Sequence, residues 1–400
     1  MHLGFVSESV IGMKTIELVF FDAGGGHRSA ANALCEVSRR EQRPWDMQMM
    51  NLQELLDDTD IFRKITGIRF QDIYNLMLRR GWTLGSKEML GPMHAIIRMF
   101  HPQQVKGLER YWSSKKPDMV VSVVPNFNRA LFEAKQSALP GVPFVTILTD
   151  MADYPPHFWL ERQGPQYVIC GTERALDQAL ELGHAPERVF LVSGMILHPR
   201  YYDIAPVDRA AGRAALGLDP NLPTAIMMFG GAGSAKMVDI AKRLNDSGLD
   251  LQVIAICGKN ETLETALRGL RGKVAMHVVG FTNEVPKYMQ LADFFIGKPG
   301  PGSISEAVAM GLPVIVETNA WTLPQERFNA VWVEEKGVGI ALRNFSRGIV
   351  DATRRMLDPI QHAMFTDQVA KLKNRAIFEI PEILNGILSH GCTQIHTDKD

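Results

Sequence analysis

The chain has 400 residues, 46% of them hydrophobic and 22% charged, with a formal net charge of −1. That length suits two globular domains with ample core, and that charge offers no overall attraction to a nucleic-acid backbone. No apolar run reaches the ~18 residues of a membrane span, and Cys35, Cys170, Cys257 and Cys392 form no CxxC pair, as in a cytoplasmic protein with reduced thiols.

Residues 1–13 read as an extension, and "MHLGFVSESVIGMK" lacks the basic-then-apolar order of a signal peptide. The first strand is expected in "TIELVFF" (15–21). Directly after it, Gly24, Gly25 and Gly26 lead to His27 at the start of an alanine-rich helix. Glycine lets a ligand approach the backbone, and a helix N-terminus favours negative charge. The rival is a dinucleotide fingerprint, but Ser29 stands at its third glycine and Asp46 starts the next strand instead of ending it. "MQMMNL" (47–52) is that next strand.

Residues 60–114 break the rhythm with a helical pattern and no strand. Between 61 and 112, nine Lys/Arg stand against three acids, a local net of +6, with Phe70, Trp82 and Phe100 interleaved. Such an insertion suits an anionic membrane surface, or it is a helical subdomain with a solvated basic face. Strands resume at "DMVVSVV" (118–124), "PFVTILT" (143–149), "QYVIC" (166–170) and "RVFLVS" (188–193). "HPRYYDIAPVDRA" (198–210) reads as the join between domains.

The second half repeats the alternation, with strands at 224–230, 251–258, 273–280, 292–298 and 312–317. Continuous apolar strands separated by helices point to parallel sheets covered on both faces, hence two doubly wound α/β domains with ligands beyond the carboxyl ends of the strands. The domains are expected at 14–200 and 208–358, with 359–400 forming helices and a polar tail that pack back on the first. Gly230, Gly231 and Gly233 form a second glycine loop suited to phosphate. "IGKPGPGSISEAVAMG" (296–311) is the most specific element. Lys298 ends a strand, Pro299–Gly302 make a stiff loop, Ser303 is expected to cap a helix, and Glu306 lies at capping-box distance. Glu306 either completes that box or grips ribose hydroxyls. "TLPQERFNA" (322–330) then supplies Gln325, Glu326 and Asn329, groups suited to sugar hydroxyls.

"GGGHRSAANAL", "TDMADYPPHFW", "ICGKN", "VVGFTNEVPKYMQLADFFIGKPGPGSISEAVAMGLPVIV" and "PQERFNA" together resemble the monogalactosyldiacylglycerol synthase and diacylglycerol glucosyltransferase family. More distantly they resemble the peptidoglycan enzyme that adds N-acetylglucosamine to a lipid-linked precursor. The resemblance implies a GT-B fold: two Rossmann-like domains, a UDP-sugar on the second and a lipid acceptor on the first. It also implies inversion at the anomeric carbon, with no obligatory metal or other cofactor, in an enzyme associated with the membrane surface. Carried over by position, Glu306 would bind the uridine ribose and the backbone near Phe281 the uracil. Ser303 and the Gly230–Gly233 loop would face the diphosphate, Gln325 and Glu326 would meet the sugar, and Lys298 and Gly302 would belong to the same donor site. Gly25, Gly26, His157 and Trp159 would line the acceptor side, His27 would act as general base or organise the acceptor hydroxyl, and Asp150, on the same side, would be the second catalytic residue. A histidine with its unperturbed pKa near 6.5 suits that work, and the helix dipole is expected to keep it neutral. Alternatives on the same architecture are a UDP-N-acetylglucosamine-type epimerase and a non-catalytic UDP-sugar-binding protein.

Other clusters carry less. Asp58-Thr59-Asp60 resembles a metal-diphosphate motif but reads as a helix end followed by a cap. His390, Cys392 and His396 lie in a polar tail with no fourth ligand.

Overall fold

The computed structural model describes residues 12–22, 25–57, 98–154, 157–162, 164–320 and 322–393. The extension at 1–11, Gly24, most of the basic insertion and Asp58-Thr59-Asp60 lie outside the described residues. Of that insertion, the helix His101–Lys115 is described.

Two six-stranded parallel sheets form the frame. The first contains β1 (Lys14–Phe20), β2 (Trp45–Asn51), β3 (Met119–Ser122), β4 (Phe144–Ile147), β5 (Tyr167–Cys170) and β6 (Val189–Leu191), in the order β2-β1-β3-β4-β5-β6. The second contains β7 (Thr224–Met228), β8 (Gln252–Ile256), β9 (Met276–Val279), β10 (Phe294–Gly297), β11 (Val314–Glu317) and β12 (Gly339–Leu342), in the order β12-β11-β10-β7-β8-β9. All residues of β3, β4, β7, β8, β10 and β11 are buried, because helices cover both faces and leave no polar side to alternate with.

The strand order fixes the site. Each sheet reverses direction beside its first strand, between β1 and β3 in one domain and between β7 and β10 in the other. At such a point the flanking loops diverge and leave a crevice at the carboxyl edge. The His27 loop follows β1, and the two glycine loops of the second domain follow β7 and β10.

The chain closes on itself. After the helix Pro359–Lys371, the helix Ala376–Thr393 returns to the first sheet. Ala376, Ile377, Ile380, Leu384 and Ile387 share a core with Ile16, Leu18, Val121 and Val145. In the opposite layer the described part of the insertion is anchored by a buried carboxylate: Glu17 on β1 accepts from Tyr111 Oη at 2.5 Å and from the Trp112 indole. Burial raises the Glu17 pKa, and those two donors partly restore its charge.

Two sequence expectations change. The edge strand β12 was not expected, since its four residues follow Gly337 with no long apolar run. The helix after Lys298 begins at Pro301, with Gly300 as its N-cap and no side-chain cap. Ser303 is therefore inside the first turn, and Glu306 belongs to no capping box. Proline at the first helical position supplies the start signal, because its fixed φ and missing N–H cost nothing there.

Candidate active site

The first-domain wall is made of side chains that hold one another. Gly25 has φ +82°, which lets the chain turn sharply from β1 into the helix Gly26–Arg40. His27 stands in the first turn, half-buried, with Nδ1 3.0 Å from Thr149 Oγ1 at the end of β4. Its ring lies 5.8 Å from that of Trp159. Trp159 Nε1 donates to Asp150 Oδ2 at 2.8 Å, and its backbone N–H donates to Asp153 Oδ1 at 2.7 Å. Asp153 Oδ2 also accepts the His157 N–H at 2.9 Å, which steadies a residue held at φ +69°. The Asn128 amide donates to the Trp159 carbonyl at 2.9 Å. His27, Asp150 and Trp159 are thus brought together. The His157 ring turns to the Leu160 carbonyl at 3.3 Å, and its side chain is exposed.

The second-domain wall is made largely of backbone. Gly230 and Gly233 have positive φ, and Gly258 in the loop after β8 packs against the first of these loops. A Cβ on Gly258 would lie 2.3 Å from the Gly231 carbonyl oxygen, so only glycine fits. That carbonyl accepts the Lys259 N–H at 2.9 Å, and Asn260 Nδ2 donates to the Ala232 carbonyl at 3.2 Å. Phe281 is 60% exposed on the outer lip, beneath the Lys259 ammonium at 5.1 Å. Gly302 is exposed in the first turn of the helix Pro301–Ala309, whose free N–H groups point at the crevice. Lys298 donates to Glu326 Oε1 at 2.7 Å. Asn329, fully buried, ties the loop down by donating to the Pro299 carbonyl at 2.7 Å. Gln325 is buried beside Glu326 in the short turn Pro324–Glu326.

The walls meet electrostatically. Burial raises the Asp150 pKa to about 7; the Trp159 indole opposes this, the Glu326 charge adds to it, and the Lys298 ammonium subtracts. Asp150 therefore senses the ion pair on the other domain. Met151, next in sequence, joins the second-domain core with Ile304 and Ala307. Burial also raises Glu306 to about 7, countered by a hydrogen bond from Tyr201 and the charge of Arg200, both on the linker.

His27 differs from expectation. Loss of hydration is the largest cause of its shift, and its pKa falls to about 4, with a hydrogen bond to the Val123 backbone pulling the other way. The imidazole is neutral as expected, but burial, not the helix dipole, accounts for it. Sequence reasoning missed Thr149, Asp153 and Tyr201. Thr149 could have been found, since it sits just past a strand end near the switch point.

Two doubly wound sheets whose carboxyl edges face one another, one edge bearing titratable side chains and the other glycine loops and a helix N-terminus, make up the GT-B architecture. MurG of Acinetobacter baumannii shares it with a TM-score of 0.60 at 14% identity, covering 93% of this chain and 99% of that one. MnaA of S. aureus, solved with UDP, aligns with a TM-score of 0.60 at 15% identity, over 97% and 99% of the two chains. The Glycosyltransferase family 28 C-terminal domain matches residues 225–377. A probable chloroplastic monogalactosyldiacylglycerol synthase 2 of Oryza sativa subsp. japonica is 30% identical over 363 residues, 86% of this chain and 73% of that protein. The chain belongs to the monogalactosyldiacylglycerol synthase family of glycosyltransferases.

Proposed function

We propose that the protein transfers a hexose from a UDP-sugar to the hydroxyl of a lipid, diacylglycerol in the first instance, at a membrane surface and with inversion at the anomeric carbon. The observation that carries this reading is the His27–Thr149–Asp150–Trp159 cluster on one wall facing the Lys298–Glu326 pair on the other. The family's named substrate supports the acceptor, and the glycine loops support a diphosphate.

In the proposed step the acceptor oxygen attacks the anomeric carbon, its proton passes to His27, and the bond to the diphosphate breaks with its electron pair on the departing UDP. The Lys298 ammonium and the free N–H groups at the helix start meet the leaving-group charge. No metal enters the proposed reaction. An imidazole of pKa about 4 is by itself a weak base. An arriving diphosphate favours the imidazolium and so strengthens the base when the donor is in place. Glu306 and Phe281 would hold the uridine, and Gln325 and Glu326 the hexose. The net of +6 at 61–112 suits anionic lipid headgroups.

Labelled UDP-galactose and UDP-glucose, each incubated with vesicles containing diacylglycerol and an anionic lipid, test the proposal. A labelled glycolipid is the expected product. Release of UDP without a lipid product, or conversion of a UDP-sugar to its epimer, would overturn it.

A further inference from the structure

His27 and Thr149 lie 122 residues apart in the chain, one just beyond the end of β1 and the other just beyond the end of β4. A threonine hydroxyl ordinarily bonds a backbone group close to it in sequence. The Thr149 hydroxyl instead lies 3.0 Å from His27 Nδ1. The next residue, Asp150, approaches the same ring from another side. It accepts the Trp159 indole N–H at 2.8 Å, and the indole lies 5.8 Å from the imidazole at an angle of 58°. The Trp159 backbone is pinned as well, by Asp153 at its N–H and by Asn128 at its carbonyl, and Ser122 Oγ donates to Asn128 Oδ1 at 2.6 Å. With its single N–H given to Asp150, the indole offers the imidazole a packing surface and no hydrogen bond. Two consecutive residues therefore hold one imidazole, Thr149 at a ring nitrogen and Asp150 through the indole.

We propose that Thr149 is a positioning residue of the acceptor wall, its hydroxyl accepting the Nδ1–H of His27 so that the imidazole turns an unprotonated Nε2 to the acceptor hydroxyl. The proposal rests on the general-base reading above and adds to it the choice of nitrogen. A neutral imidazole carries one proton, and only its bare nitrogen can take another. Nδ1 is engaged by Thr149, which leaves Nε2 to meet the substrate. With the proton on Nε2 instead, Thr149 would donate to Nδ1, and the ring would present an N–H where a base is needed. As the new glycosidic bond forms, Nε2 takes the hydroxyl proton, and the bond to the diphosphate breaks with its electron pair on UDP. The imidazolium then carries both protons, its Nδ1–H still on Thr149. A hydroxyl is uncharged, so it selects the tautomer without holding the ring in its charged form, in keeping with a His27 pKa of about 4.

Selective 15N-histidine labelling of the full-length protein, read in long-range 1H–15N spectra at neutral pH, shows which ring nitrogen carries the proton. The His27 signals are those missing from His27→Gln. Nδ1–H is the expected wild-type tautomer. Thr149→Val keeps the branched shape and removes the hydroxyl, whereas Thr149→Ser keeps the hydroxyl and removes the methyl. The valine variant should move the ring toward Nε2–H and lower kcat roughly 10- to 100-fold, with KM for the donor within about threefold of wild type. The serine variant should keep the wild-type tautomer and a kcat within about threefold. If Thr149 only packs, the order reverses: valine is tolerated, and serine, which leaves a methyl-sized void, gives the weaker enzyme. That reversal, or a wild-type Nε2–H tautomer with its N–H turned to the Val123 backbone, overturns the proposal. Undiminished turnover in His27→Ala overturns the general-base reading itself, an outcome separable from the others because it involves no change at Thr149.

Discussion

The two walls of the cleft come from sheets with nearly the same winding, yet they are built from different materials. On the first, side chains from the ends of β1 and β4 and from the loop beyond hold one another, so the wall's properties are those of individual groups: a neutral imidazole at His27, a protonation-poised carboxyl at Asp150. On the second, glycine backbones and a helix start do most of the work, joined by Lys298, which is leashed to Glu326. A wall that must move a proton needs a titrating atom in one place. A wall that must hold a diphosphate needs many weak donors and little bulk. Substitutions should therefore fail in different ways on the two sides.

The largest effect should come from His27→Ala. Turnover should fall by roughly 10²–10⁴, the range for a lost general base, with UDP affinity within about threefold of wild type. Steady-state kinetics alongside UDP calorimetry separates the two; a parallel loss of UDP binding would place His27 on the wrong wall.

Asp150→Asn tests whether the first wall stores instability. A carboxyl whose folded pKa is raised contributes most below its unfolded value near 4, and loses that contribution as pH rises through about 7. The amide avoids this loss. The variant should gain little at pH 4 and roughly 2–4 kcal/mol at pH 8, read as a rise in Tm that grows between those values and levels off above 7. An equal gain at both pH values would mean that Asp150 is ionised at no cost.

A pair of alanine substitutions sharpens the contrast further. Gly258→Ala drives a Cβ into the Gly231 carbonyl and should cost about 1–3 kcal/mol of stability, with weaker UDP binding as the loop after β7 shifts. Gly25→Ala meets no atom within 4 Å and only pays for a left-handed backbone, about 1 kcal/mol, but it should lower turnover by tilting His27 while UDP binding holds. Denaturant melts and UDP calorimetry on both proteins decide the matter, and reversal of the two phenotypes would erase the distinction between the walls.

The smallest effect belongs to the basic insertion. Changing Arg79 and Arg80 together to Glu should weaken co-sedimentation with anionic vesicles several-fold at low salt, each basic group near the surface contributing about 1 kcal/mol before screening. Indifference to both the charge reversal and the salt would remove the insertion from the membrane.

The frame was legible because parallel strands buried on both faces announce themselves as continuous apolar runs: "TAIMMFG" and "LQVIAICG" leave little choice. Locating the loops followed from the strand ends. Less visible was β12, whose Gly339–Leu342 is short because an edge strand needs only one neighbour. The cap was misread because Ser303 and Glu306 fit a pattern that Pro301 had already pre-empted. His27's lowered pKa could not be read from its neighbours in sequence, since it arises from burial in the folded chain, against a hydrogen bond to the Val123 backbone that pulls the other way.

The return of the C-terminal helix to the first sheet makes the interdomain junction a double one. The polypeptide passes between the domains once near Met195 and again near Asn374, and the passages are laced together. Asn374 Nδ2 donates to the Met195 carbonyl at 2.8 Å, Arg375 N–H to Ser193 Oγ at 2.6 Å, and Ser193 N–H to Glu379 Oε2 at 2.7 Å. A single tether permits swivel, tilt and separation alike. Two straps fastened side by side behave as a door hinge, leaving rotation about one local axis as the soft degree of freedom. Any opening of the cleft would follow that axis, and closing would return the side-chain wall and the backbone wall to the same register.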